Sequence, residues 1–99
     1  MAKYFLTNKA VFDLSEIWNY TYEMWSEEQA DKYYFQLLQS CQELAENQSY
    51  EKSYPEIASS IYGYKSNLHI IFYSIENAQE IEIIRILHSR MDLKNRIEE

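Results

Sequence analysis

The sequence predicts an α+β domain: one strand, a helical hairpin, and then an antiparallel meander. Three observations carry this expectation. A short alternating start, "KYFLT" (3–7), precedes two stretches whose apolar residues recur at spacings of three and four. The second half then turns to β-branched and aromatic runs. With one Gly and one Pro in 99 residues, nothing resembles a linker, and 1–99 is read as a single domain.

The elements follow in order. "KYFLT" is rich in aromatic and branched residues and reads as a short strand. Thr7 or Asn8 can cap a first helix, on which Val11, Leu14, Ile17 or Trp18, and Thr21 share a face. "SEEQ" (26–29) has capping-box spacing, so a second helix is expected to start there. Its apolar face is Ala30, Tyr33 or Tyr34, Leu37, Cys41 and Leu44. Two helices broken only at Trp25–Ser26 must turn back on each other. Residues 46–55 lose periodicity and reach the one Pro, as a loop does. Strands are expected over 56–64, 67–76 and 80–90, the last two joined by a tight turn through Asn77, Ala78 and Gln79. In the final strand, alternation puts Ile81, Ile83, Arg85 and Leu87 on one face, and Glu82, Ile84, Ile86 and His88 on the other.

Charge narrows the function. The net charge is −7, with three basic against eight acidic residues in the first fifty positions. Phosphate backbones are gripped by clustered Lys and Arg, so direct sequence-specific nucleic-acid binding is not expected. The locally basic segment is Arg85–Arg96, where Arg85, Arg90, Lys94 and Arg96 outweigh Asp92. No apolar run reaches the ~18 residues of a membrane span, and the start does not resemble a secretion signal. Together with the lone Cys41, this makes a cytoplasmic protein without membrane contact the expectation.

Chemistry-bearing side chains are few. Metal-free RNA cleavage needs a base, a cation and an acid, and His88, Arg85, Arg90, Lys65 and Tyr73 are candidate parts. His69 and His88 lack metal-ligand spacing, so no metal is expected; His69 reads as a locally hydrogen-bonded residue at the mouth of a strand. Cys41 lies in an apolar helix face and reads as core, and no Gly-rich phosphate loop or other cofactor motif is present. Ten tyrosines exceed what a core of this size needs, and aromatics with a polar tip suit protein interfaces.

The stretches "LTNKAVFDLSEIWNYT" (6–21), "WSEEQADKYYFQLLQSCQELAEN" (25–47), "HIIFYSI" (69–75) and "IEIIRILHSRMD" (81–92) resemble the ParE branch of the RelE/ParE toxin superfamily of bacterial toxin–antitoxin modules. The resemblance implies a curved four-stranded antiparallel sheet behind the helical hairpin. It also implies a plasmid-stabilising or growth-arresting toxin neutralised by a ParD-like antitoxin, whose disordered arm folds as it wraps the toxin. ParE-like members poison DNA gyrase by protein–protein binding and would be no enzyme. RelE-like members cut mRNA in the ribosome, which remains the alternative.

On this resemblance Lys65, Arg85, His88, Arg90 and Met91 are the expected target-binding residues. Trp18, Tyr22, Trp25, Tyr33, Tyr34 and Tyr73 are the expected antitoxin contacts. The acidic hairpin (Glu23, Glu27, Glu28, Asp31) calls for Lys or Arg on the antitoxin arm. Two departures from the family pattern stand out. Glu51-Lys52 replaces a Gly-Arg pair, and Ser60-Ile61-Tyr62 replaces Gly-x-Arg, which removes backbone freedom and a guanidinium fork. They keep a third possibility open, a degenerate toxin that retains only antitoxin binding.

Overall fold

The computed structural model describes residues 2–47 and 60–90. Within them the order is β1 (Lys3–Leu6), α1 (Asn8–Met24), α2 (Glu27–Glu46), β2 (Tyr62–Ser66), β3 (His69–Asn77) and β4 (Glu80–His88). Both helix starts are as the sequence predicts. Thr7 Oγ1 accepts from the Ala10 amide and Ser26 Oγ from the Gln29 amide, each at 3.1 Å, which satisfies amides that have no partner inside the helix. Trp25 closes α1 with its amide on the Thr21 carbonyl, and Ser26 opens α2 at once, so the chain must reverse. Of the loop expected over 46–55 and the strand expected over 56–64, residues 48–59 lie outside the described residues, as do Met91 and the rest of the C-terminal segment. The described part of that strand runs Tyr62–Ser66, two residues past the predicted end.

The α+β class holds, with the four strands in the order β1-β4-β3-β2. The meander β2–β3–β4 is antiparallel throughout, but β1 runs parallel to β4, with Leu6 opposite Ile83. The sheet is therefore mixed at one edge rather than wholly antiparallel. Antiparallel pairing follows from a short hairpin connection, and β1 has none to β4. Its direction delivers Thr7 to the point where β1 stops: the Thr7 amide donates to the Ile83 carbonyl at 3.0 Å and Thr7 Oγ1 to the Ile84 carbonyl at 2.7 Å.

One core lies between the helices and the sheet. Ala10, Leu14 and Ile17 of α1 and Leu37, Cys41 and Leu44 of α2 pack on Ile71, Tyr73, Ile81, Ile83 and Ile86. A smaller cluster of Ile61, Ile70, Phe72 and Leu87 lies apart, with Ile84 against it. Strict alternation along Ile70–Tyr73 sends successive side chains to the two clusters, so the middle of β3 is buried on both faces.

The expected faces of the last strand need correcting. Phe72 pairs with Arg85 and Tyr73 with Ile83, which leaves Ile84 as an extra residue in a β-bulge. The bulge resets the alternation, so Ile81, Ile83 and Ile86 all join the main core while Ile84 is only half-buried. The strand also ends at His88, two residues earlier than predicted. The β2–β3 turn is Asn67–Leu68, where Asn67 takes φ 56°, a left-handed conformation that Asn tolerates better than most residues. Among the described residues no helix is long and apolar enough to cross a membrane.

Candidate functional site

Register brings the two histidines together. His69 opens β3 and His88 ends β4, and the two are direct cross-strand partners. Their rings meet edge to face with centroids 5.3 Å apart. The Ser89 amide donates to the Leu68 carbonyl at 2.9 Å, tying the exit of β4 to the β2–β3 turn.

Tyr33 of α2 reaches the same place, with its hydroxyl 2.6 Å from His69 Nδ1. Burial pushes the His69 imidazole down to about 4, with the nearby His88 adding to the effect and Asp13 opposing it. His69 is therefore uncharged at physiological pH. Burial also raises the Tyr33 phenol, against a backbone hydrogen bond from Leu68 that lowers it, so Tyr33 stays a phenol there. His88 Nδ1 accepts the Arg90 backbone N–H at 3.1 Å. A backbone amide can only donate, so Nδ1 is the accepting nitrogen and Nε2 carries the ring proton.

A cavity of about 940 Å³ opens beside this pair. One wall comes from the hairpin: Ile17, Tyr20 and Trp25 from α1 and its end, and Gln29 and Tyr33 from α2. The other is Leu68, His69, His88 and Arg90, with Glu16 on the helical side. It is half open to solvent and mixes aromatic surface with a few polar groups. Arg90 is exposed, and among the described residues its guanidinium is engaged by no hydrogen bond or ion pair.

The expected target-binding residues divide. His88 and Arg90 share the cavity, whereas Lys65 is exposed on β2 opposite Ile70 and is not part of its lining. Arg85 is turned into the protein instead. It is 7% exposed and clamps Asp13 of α1 through Nε at 2.7 Å and Nη2 at 2.9 Å. The same Asp13 carboxylate accepts the Ile86 amide at 3.1 Å, so the pair closes the stretch of β4 edge that β1 leaves open. Arg85 was expected outward because strand alternation carries no information about a carboxylate 72 positions away.

The expected antitoxin contacts divide too. Trp25 and Tyr33 line the cavity. Trp18 stacks on Tyr22 at 5.3 Å and donates to Asp31 at 2.9 Å, forming an aromatic patch across the hairpin. Tyr34 is half-buried against the core and meets Phe35 edge to face. Tyr73 is fully buried and belongs to the core, not to an accessible face. Cys41 is also buried, which pushes its thiol up to about 12 and suits a core residue. Among the described residues, no three His, Cys, Asp or Glu side chains group as a metal site.

Sequence reasoning passed over Asp13, Glu16, Tyr20, Gln29 and Leu68. Asp13 left a signal, since it sits one position before Leu14 in the stripe Ala10–Leu14–Ile17, and a carboxylate there needs a buried partner. Tyr20 was marked only as one of the excess tyrosines, and Leu68 left no signal, because its neighbours arise only when the hairpin meets the β2–β3 turn.

Comparison with known proteins agrees with this architecture. The profile of the family described as "ParE toxin of type II toxin-antitoxin system, parDE" matches residues 4–93. Toxin ParE1 of Mycobacterium tuberculosis is 30% identical over 92 residues, covering 93% of this chain and 94% of its own. Toxin ParE1 of Caulobacter vibrioides is 30% identical over 94 residues, covering 95% and 96%. A solved structure, described as the chromosomal ParDE TA system from P. aeruginosa, superposes with a TM-score of 0.75 at 19% identity, over 89% of this chain and 96% of that one. With the family profile spanning nearly its whole length and the fold shared, the chain belongs to the ParE toxins of type II toxin–antitoxin systems.

Proposed function

We propose that this toxin works in the cytoplasm by binding a protein, DNA gyrase, with no chemistry of its own, and that a ParD-like antitoxin neutralises it. One observation carries the choice over RNA cleavage: the parts a ribonuclease would need are taken or scattered. Arg85 is spent on Asp13, Tyr73 is in the core, and Lys65 is away from His88 and Arg90. Metal-free cleavage needs base, cation and acid within reach of one phosphate. A surface with a net charge of −7 also repels RNA. Supporting a protein target are the large apolar side chains left exposed on the hairpin, Tyr20, Tyr22, Met24, Trp25 and Phe35 among them.

The test is controlled expression without antitoxin. Filamentation with induced DNA damage, and gyrase-dependent breaks in a purified supercoiling reaction, are the expected outcomes. Immediate translation arrest with cut transcripts overturns the gyrase reading. Normal growth together with tight antitoxin binding identifies a degenerate toxin.

A further inference from the structure

The cavity at the hairpin tip joins residues expected to meet the antitoxin, Trp25 and Tyr33, with residues expected to meet the target, His88 and Arg90. The geometry points to a single receptor site there for a peptide segment of a protein partner: an apolar side chain fills the cavity, and an adjacent carboxylate on the same segment lands on Arg90 and His88. This rests on the reading that the toxin works by binding proteins.

Complementarity sets the occupant's chemistry. Arg90 offers an exposed guanidinium with no partner among the described residues. His88 has committed Nδ1 to the Arg90 amide, so its ring offers Nε2–H, a donor and not a lone pair. The site at the β4 exit is therefore built for an acceptor and not for a metal ion, which would need that lone pair. Glu16 stands on the α1 side of the same cavity, so an incoming carboxylate is repelled there and directed to the β4 side. Between these ends the lining is Ile17, Tyr20, Trp25 and Leu68, which takes an aliphatic or aromatic group.

A peptide fits better than a free metabolite because of the mouth. Trp25 is 76% and Leu68 61% exposed. A small molecule held inside leaves these two side chains wet, whereas a segment crossing the mouth covers both. The same occupancy masks Arg90 and His88, so whichever partner holds the site excludes the other from it.

The experiment uses the isotope-labelled full chain and two blocked dipeptides, acetyl-leucyl-glutamyl-amide and its glutaminyl counterpart, with 3-phenylpropionate as a free carboxylate. The Trp25 indole N–H and the His88 ring report binding. The glutamyl peptide is expected to bind about tenfold more tightly than the glutaminyl one, the size of one charge-assisted hydrogen bond at a half-exposed site. Arg90→Gln is expected to abolish that preference, and Trp25→Ala to weaken both peptides alike. Equal affinity of the two peptides, a preference that survives Arg90→Gln, or shifts confined to other residues overturns the proposal. Binding of 3-phenylpropionate as tight as that of the glutamyl peptide overturns the peptide occupant in favour of a small carboxylate. Cut transcripts in the expression test would remove the gyrase reading and leave the dipeptide result standing; loss of the dipeptide preference with gyrase poisoning intact removes only this site.

Discussion

His69 and Asp13 are the two polar residues whose removal separates site from scaffold. Burial holds His69 at about 4, below the 6.5 of an unperturbed imidazole, so the unfolded chain binds the extra proton first. The stability this gives is complete above pH 6.5 and is lost progressively as pH falls from about 6.5 to about 4. A thermal midpoint measured against pH is expected to decline across that window, and to decline less in His69→Gln. An unchanged slope in the variant would assign the decline to other groups. Asp13→Ala takes a carboxylate away from a buried guanidinium, and removing one partner of a buried pair costs ~3–5 kcal/mol, measurable by urea unfolding. Replacing both as Asp13→Leu with Arg85→Met is expected to recover much of that loss, because the desolvated charges go together.

At the level of elements, β4 shows what a periodic pattern carries and what it does not. Its existence and its partner β3 follow from "EIEIIRILH" and the turn before it, since branched residues at a period of two describe a strand packed on a core. The bulge at Ile84 has no such signature, because a register shift depends on the partner strand and not on the period of its own. Ile86→Ala is accordingly expected to cost ~2–5 kcal/mol through the cavity it leaves, and Ile84→Ala clearly less. Equal losses in paired chemical denaturation would make Ile84 as much a core residue as Ile86. The parallel run of β1 was hidden for a related reason, because strand direction between non-consecutive elements depends on the path of everything between them. Thr7 repays that arrangement twice, as the cap of α1 and as a bridge to Ile84. Thr7→Ala is therefore expected to cost ~1–2 kcal/mol, at the upper end for a cap, and Thr7→Ser far less.

Across the whole molecule, functional surface and folding core divide along lines that local patterns only partly reveal. The aromatic richness of the helices was legible, and Trp25 and Tyr33 do line the cavity. Arg85 and Tyr73 carry the same residue types yet belong to the interior, because type alone does not tell a clamp from a contact. Arg90, exposed at the strand exit, is the position where function and stability should come apart. Arg90→Ala is expected to leave the unfolding free energy within ~0.5 kcal/mol of the parent while reducing growth arrest, read from thermal melts beside plating efficiency. Full toxicity in that variant would move the working surface to another face, such as the one carrying Lys65.

The carboxylate that seals the edge of β4 also bears on how cells would escape this protein. In a population forced to express the toxin without its antidote, survivors carry whatever changes disable it most easily. If Arg90 contacts the target as proposed, it offers few such changes, each leaving an intact and still antitoxin-competent fold. Substitutions of Asp13 that remove the side-chain acceptor reopen an unpaired amide beside the apolar run "IIRIL", and an open edge of that composition recruits its own kind. Escape alleles at Asp13 should therefore yield insoluble protein that no longer binds antitoxin, and those at Arg90 soluble protein that does. Sorting survivors by solubility alone would then map which residues hold the molecule together and which ones make it poisonous.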